Sequence, residues 1–243
     1  SIVRFSSDHS SLSPNLMERT EENMELAETY IDELDANGGT EMQPALDYCL
    51  SIKGRPEASR LLIFLTDGDV GNEDDLMRLV KVKLDKTRLF TFGIGSAPNE
   101  YLMRKIAELG RGQSRFIHSH EDISVVMSDF LKTLSAPVMT DVVVNLYDDS
   151  GAEINDASLY PQSMPDLFYE RPLRGFLRSD QSVSRVELRG LVNGELVSKF
   201  YEIDESRQRE HPLVQRLYGR EVINDLMLQY ILAKDQLRRE GIK

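Results

Sequence analysis

Leu61-Leu62-Ile63-Phe64-Leu65, entered by Arg60 and left by Thr66-Asp67-Gly68-Asp69, decides the fold of this chain. Five consecutive apolar residues fall far short of the roughly 18–20 that cross a membrane, and suit a strand. A strand without polar alternation reads as one covered on both faces, as in a parallel sheet. The Thr-Asp-Gly at its end sets small oxygen-bearing residues at the strand's carboxyl terminus, where open parallel sheets bind their ligands.

On either side of this strand, short strands and helices alternate. Residues 2–5 read as a strand. Thr20 is a suitable N-cap, with acids behind it in the first turn, for a helix carrying Met24, Ala27, Ile31 and Leu34. Asn37-Gly38-Gly39 ends that helix, and Pro44 opens a second one bearing Ala45, Leu46, Cys49 and Leu50. Downstream, residues 73–83, 101–109 and 123–134 have helical periodicity, and 88–94 and 114–117 read as strands. Strands separated by helices of this length imply βαβ units and an α/β, doubly wound, mostly parallel sheet.

Pro137 changes the pattern. Residues 138–147 show β-branched alternation, and Asp148-Asp149-Ser150-Gly151 is a polar turn. Further strands are expected at 166–170, 175–178, 182–188 and 195–203, with Asn193-Gly194 as a hairpin turn between the last two. A long helix from 211 to 239 closes the chain. The pattern divides into two domains: 1–134, and 135–243 as a small antiparallel β module with a C-terminal helix packed on it.

The 243 residues hold 29 Lys plus Arg against 41 Asp plus Glu, a net charge of −12, with 40% hydrophobic and 29% charged residues. That balance supports a folded core and argues against disorder. The negative field argues against nucleic acid, which requires a basic stripe. The chain shows no membrane span. Its single cysteine, Cys49, excludes an internal disulfide and a Cys-rich zinc site. It starts at Ser1 without a charged and apolar leader, which is expected of a processed product or an excised segment.

The candidate rim of the sheet consists of Ser6-Ser7-Asp8-His9-Ser10-Ser11, Gly38-Gly39-Thr40, Thr66-Asp67-Gly68-Asp69 and Gly93-Ile94-Gly95-Ser96. These loops are rich in hydroxyl and carboxylate oxygen, which suits Mg²⁺, Mn²⁺ or Ca²⁺ rather than zinc or copper. Other constellations carry less. Asp8-His9-Ser10 has the residue types of a hydrolytic triad, but adjacent residues cannot adopt the relay geometry. Gly93-Ile94-Gly95 lacks the third glycine of a dinucleotide loop. Asp69, Glu73, Asp74 and Asp75 read as a solvated face at a helix N-terminus. His118 and His120 read as surface residues, and Cys49 as a small core residue. No nucleophile–base–orienter set is discernible, so the chain reads as a non-enzyme.

Gly38-Gly39-Thr40-Glu41-Met42, the strand ending in Thr66-Asp67-Gly68-Asp69, and Phe92-Gly93-Ile94-Gly95 together resemble a von Willebrand factor type A domain. More narrowly, the chain is similar to the version found in inter-alpha-trypsin-inhibitor heavy chains and bacterial sortase-target relatives. Leu217-Tyr218-Gly219-Arg220-Glu221 and the β region after Pro137 fit the region downstream of the domain in those proteins. The resemblance implies a metal-ion-dependent adhesion site built from three loops, completed by a partner's carboxylate. Thr40 matches its second loop and Asp67 its third. The first loop, Asp-x-Ser-x-Ser, has no match: Leu12 stands where its second Ser is required. The family's first strand, its metal loop and first helix are therefore expected before residue 1. The resemblance implies a non-catalytic adhesion or protein-interaction module of the cell envelope or extracellular space. In complete form it binds a protein's acidic residue through Mg²⁺ or Mn²⁺. A sheet lacking that strand is expected to re-pair residues 2–5 with 61–65, or to form homo-oligomers by strand exchange. The alternative is a regulatory or scaffold subunit of an intracellular metal-dependent assembly, chelatase- or chaperone-like.

Overall fold

The computed structural model describes residues 1–35, 38–55, 60–68, 71–95, 98–134, 137–169, 171–204, 206 and 209–239. Asn37, Asp69, Ser96 and residue 170, all part of the sequence reading, lie outside the described residues. The chain forms two compact units, Ser1–Glu121 and Asp122–Lys243. The division falls at the start of the 123–134 helix, and the sequence-based boundary at its end.

The first unit opens with β1 (Val3–Phe5) and β2 (His9–Ser11), an antiparallel pair in which Val3 faces Ser11 and Phe5 faces His9. Residues 6–11 read as loop in the sequence, and β2 is a strand within it. Its three polar residues give no alternation, and only pairing with β1 makes them a strand. Helix α1 (Glu21–Asp32) starts where expected, the Thr20 hydroxyl accepting from the Asn23 N–H at 3.2 Å. Helix α2 (Met42–Ser51) takes Pro44 in its first turn, where a missing N–H costs nothing.

Three parallel strands complete the unit: β3 (Arg60–Thr66), β4 (Thr87–Ile94) and β5 (Arg111–Ile117), in spatial order β3-β4-β5. Between them run α3 (Glu73–Lys83) and α4 (Glu100–Leu109). Strand β4 is the centre of the core: Leu89, Phe90 and Phe92 are at most 1% exposed. Its buried Thr91 hydroxyl donates to the Met103 carbonyl of α4 at 3.0 Å. Leu46, Leu76, Met77, Leu102 and Ile106 add fully buried side chains to this core.

One expectation is corrected. The apolar run of β3 reads as covered on both faces, yet Leu61 and Leu65 are 45% and 43% exposed. Among the described residues β3 has a single ladder neighbour, β4, and β1 has only β2. Residues 2–5 are therefore not re-paired with β3. The two strands meet through side chains instead: Phe5 and Phe64 stack with ring centroids 5.2 Å apart.

The second unit begins with α5 (Ile123–Leu134) and the long strand β6 (Pro137–Tyr147). Then come β7 (Ser158–Tyr160), β8 (Leu167–Phe168), β9 (Phe176–Arg178), β10 (Arg185–Val192), β11 (Glu195–Glu202) and α6 (Leu213–Arg239). β11-β10-β6-β8 form an antiparallel sheet and β7-β9 a separate antiparallel pair. Asn193 and Gly194 both have positive φ, 53° and 82°, and join Val192 to Glu195 as the hairpin turn read from the sequence. Met139, Val142 and Met164 form this unit's core with Leu159, Leu167 and Leu188 against them. Helix α6 packs on β7 and β9, with Tyr160 and Tyr218 edge to face at 5.6 Å. No helix among the described residues is long and apolar enough to cross a membrane.

Candidate functional site

The loop over residues 38–41 joins two parts of the first unit that are far apart in sequence. On one side it is tied to the end of β1. The Gly39 N–H donates to the Ser7 hydroxyl at 2.9 Å, and the Glu41 N–H donates to the Ser6 carbonyl at 2.7 Å. Gly38 has φ +85°, a left-handed conformation that glycine adopts without strain, and a Cβ there would lie 2.5 Å from the Ser7 oxygen.

On its other side the same loop reaches the end of β3. The Thr40 side chain lies over Gly68, so that a Cβ on Gly68 would be 2.8 Å from both Cγ2 and Oγ1 of Thr40. Glycine is what lets the two loops approach this closely. The Gly68 N–H donates to the Thr66 hydroxyl at 3.2 Å, which closes the turn around Asp67. Thr40 is half-buried and Asp67 exposed. Thus the carboxyl ends of β1 and β3 and the 38–41 loop gather on one rim. Thr40 and Asp67 share that rim.

The donor chemistry is hard oxygen, as a Mg²⁺ or Mn²⁺ site requires, but two side chains are well short of the near-octahedral shell of about six such an ion takes. Among the described residues no group of three or more His, Cys, Asp or Glu is placed to hold a metal. Thr40 and Asp67 by themselves do not fit the ion. Asp8 does not join them: its carboxylate pairs with Arg4 at 3.3 Å.

The remaining candidates disperse. Asp8 turns to Arg4, His9 packs against Tyr48 at 5.1 Å, and the Ser10 hydroxyl lies 3.0 Å from that of Tyr30. Three neighbours in sequence thus serve three different partners and form no triad. Asp74 and Asp75 pair with Arg78 along α3, and the Glu73 carboxylate accepts from Asn99. His118 and His120 are exposed with parallel rings 5.8 Å apart. The His118 N–H, with Arg115 next to it, holds the Glu121 carboxyl below its ordinary range. Cys49 is half-buried rather than enclosed, and burial pushes its thiol up. The Ser7 hydroxyl, which ties β1 to the 38–41 loop, is the rim residue whose part no local pattern marks.

Residues 1–116 match the family model of the von Willebrand factor type A domain. A von Willebrand factor A domain-containing protein of Dictyostelium discoideum is 30% identical over 194 residues, 79% of this chain and 20% of the relative. Von Willebrand factor A domain-containing protein 5B1 of Mus musculus is 31% identical over 176 residues, 72% of this chain and 14% of the relative. The chain therefore spans about a fifth or less of the length of these curated relatives. Both alignments are longer than 116 residues, so likeness continues beyond the matched domain. Among solved structures, a von Willebrand factor type A protein from Catenulispora acidiphila superposes with a TM-score of 0.57 at 20% identity. The match covers 89% of this chain and 61% of that one, and the two share the fold.

Proposed function

We propose that this chain, whose residues 1–116 match the family model of the von Willebrand factor type A domain, is a non-catalytic protein-interaction module whose contact face is the rim formed by residues 6–8, 38–41 and 66–68. The observation that supports this most directly is the seating of Thr40 over Gly68, with Gly39 and Glu41 bonded back to Ser7 and Ser6. It concentrates hydroxyl and carboxylate oxygen at the carboxyl ends of strands, the place where open α/β sheets recognise ligands. The relatives are likewise named for a von Willebrand factor A domain.

On this reading the partner offers an acidic side chain, and Thr40 and Asp67 are two contributors to a divalent site whose other oxygens come from beyond them. An envelope or extracellular setting belongs to the same proposal. Two experiments test it. In calorimetry, Mn²⁺ binds this chain with a Kd weaker than about 100 μM, a free energy under about 6 kcal/mol, and Thr40→Ala with Asp67→Ala removes the remaining heat. Micromolar affinity that survives both substitutions overturns the assignment of these residues. Proteins retained from an extract by the immobilised chain are lost when the same pair is substituted; retention indifferent to the pair overturns the rim as the contact face.

A further inference from the structure

The outer strand of the second unit is an open sheet edge. In the order β11-β10-β6-β8, β11 has a ladder neighbour on one side only among the described residues, and seven of its eight residues are exposed. Folded proteins blunt such edges with proline, bulges, short strands or lysine. β11 has Lys199 but no proline, and its register with β10 runs through eight pairs without a shift. At the other end of the sheet, β8 is two residues long and offers little edge.

Which main-chain groups face outward follows from the ladder. Asn193-Gly194 is a two-residue turn, so Val192 and Glu195 beside it form a hydrogen-bonded pair. At the far end the Ile203 N–H donates to the Ser184 carbonyl at 2.8 Å. Both place the odd-numbered residues from 195 to 203 with N–H and C=O toward β10, because hydrogen-bonded pairs alternate along an antiparallel ladder. Leu196, Ser198, Phe200 and Glu202 therefore turn theirs outward. Their side chains share one face of the sheet. On that face the Phe200 ring lies 5.2 Å from the Arg185 guanidinium and 6.0 Å from the Tyr147 ring. Leu196 and Phe200 are nonetheless 61% and 54% exposed.

We propose that this edge pairs with the same edge of a second copy, β11 running antiparallel to β11 about a two-fold axis through Ser198. In that register Leu196 faces Phe200 of the second copy, Phe200 faces its Leu196, and Ser198 faces Ser198. The outward groups of these pairs exchange about six main-chain hydrogen bonds, two for each pair. On the opposite face Glu195 meets Tyr201 and Val197 meets Lys199, so no like charges are opposed. Neighbouring registers lose this match. An axis at Lys199 opposes two lysines, one at Val197 leaves Phe200 against Gly194, and one at Phe200 sets Leu196 against Asp204. Main-chain bonds supply affinity in this mode, and the facing side chains supply selectivity. The pairing uses β11 of both copies and so closes as a dimer that joins two four-stranded sheets into one. This surface lies in the second unit and stands or falls independently of the Thr40–Asp67 rim.

Sedimentation equilibrium of the full chain tests the proposal. A monomer–dimer equilibrium with a Kd of about 1–100 μM is expected, without larger species. Ser198→Pro removes an outward N–H, which an edge strand tolerates, and weakens the dimer at least about tenfold. Leu196→Lys, at an exposed site, does the same, and far-ultraviolet circular dichroism shows both variants folded. With Cys49→Ser in each chain, Ser198→Cys cross-links the dimer on mild oxidation, because hydrogen-bonded pairs hold their Cα atoms about 5.5 Å apart. Glu202→Cys, far from the axis, does not. A chain that stays monomeric to about 1 mM overturns the proposal and leaves the edge to another protein. A dimer indifferent to both Ser198→Pro and Leu196→Lys overturns it too, since the copies then join elsewhere. So does a Ser198→Cys chain that cross-links no faster than Glu202→Cys.

Discussion

At Gly68 a single methyl group would collide with Thr40, 2.8 Å from both its Cγ2 and its Oγ1. Threonine is β-branched and stiff at χ1, so it cannot swing clear cheaply. Gly68→Ala is therefore expected to destabilise the first unit by about 1–3 kcal/mol, the usual cost of overpacking. Adding Thr40→Ala, which removes the two nearest atoms, recovers most of that loss in urea unfolding. A double-mutant cycle without coupling would mean that the two loops do not meet. Thr40 and Asp67 are picked out in the sequence by the resemblance to the family's second and third loops, on the rim where open parallel sheets bind ligands. Ser7 stands in the first loop of that candidate rim, but its tie to the Gly39 N–H is not legible, because it joins residues 32 positions apart and leaves no trace in local spacing.

Among elements, those with a period are legible in the sequence and those made by pairing are not. β4, α3 and α4 carry enough apolar residues in register to announce themselves, whereas β2 and β7 are three residues each and exist through their partners β1 and β9. The apolar run of β3 shows that it is a strand; no run of residues can show how many neighbours the strand has. The β6–β10 pair carries its own test. Glu187 on β10 accepts from Asn145 at 2.9 Å and from the Tyr147 hydroxyl at 2.8 Å, both on β6. The Asn145 bond first, then those from Ser198 and Tyr147, hold the Glu187 carboxyl below its ordinary range, and the bond to Glu187 pushes the Tyr147 hydroxyl up. The carboxylate's contribution is therefore present above its unfolded value, about 4.3, and is lost as pH falls through the lower native one. The tyrosine's is present below its unfolded value and lost as pH rises through the higher native one. Glu187→Gln should flatten the fall in stability between about pH 5 and 3, read by denaturant unfolding at successive pH values. An unchanged acid limb would place that sensitivity elsewhere.

For the molecule as a whole, composition already argues against disorder and against nucleic acid, and the α/β architecture emerges from the order of elements. The pattern change at Pro137 marks a second, β-rich part, and the compact units divide at Glu121, ahead of α5. A net charge of −12 makes the folded chain repel itself at low ionic strength. Raising salt from about 0.01 M to 0.5 M shrinks the screening length from about 30 Å to a few ångströms. The melting temperature should then rise by about 2–4 °C, the shift that about 1 kcal/mol produces in a chain of this size. A fall instead would mean that ion pairs such as Arg78 with Asp75 outweigh the general repulsion. Cys49, the chain's one thiol, lies in the wall of a groove between β1 and β3. An alkylating reagent that reaches it from the groove must wait for the scarce thiolate of a group whose proton is held by burial. Its labelling half-time is thus a built-in clock for how open that wall of the first unit stands.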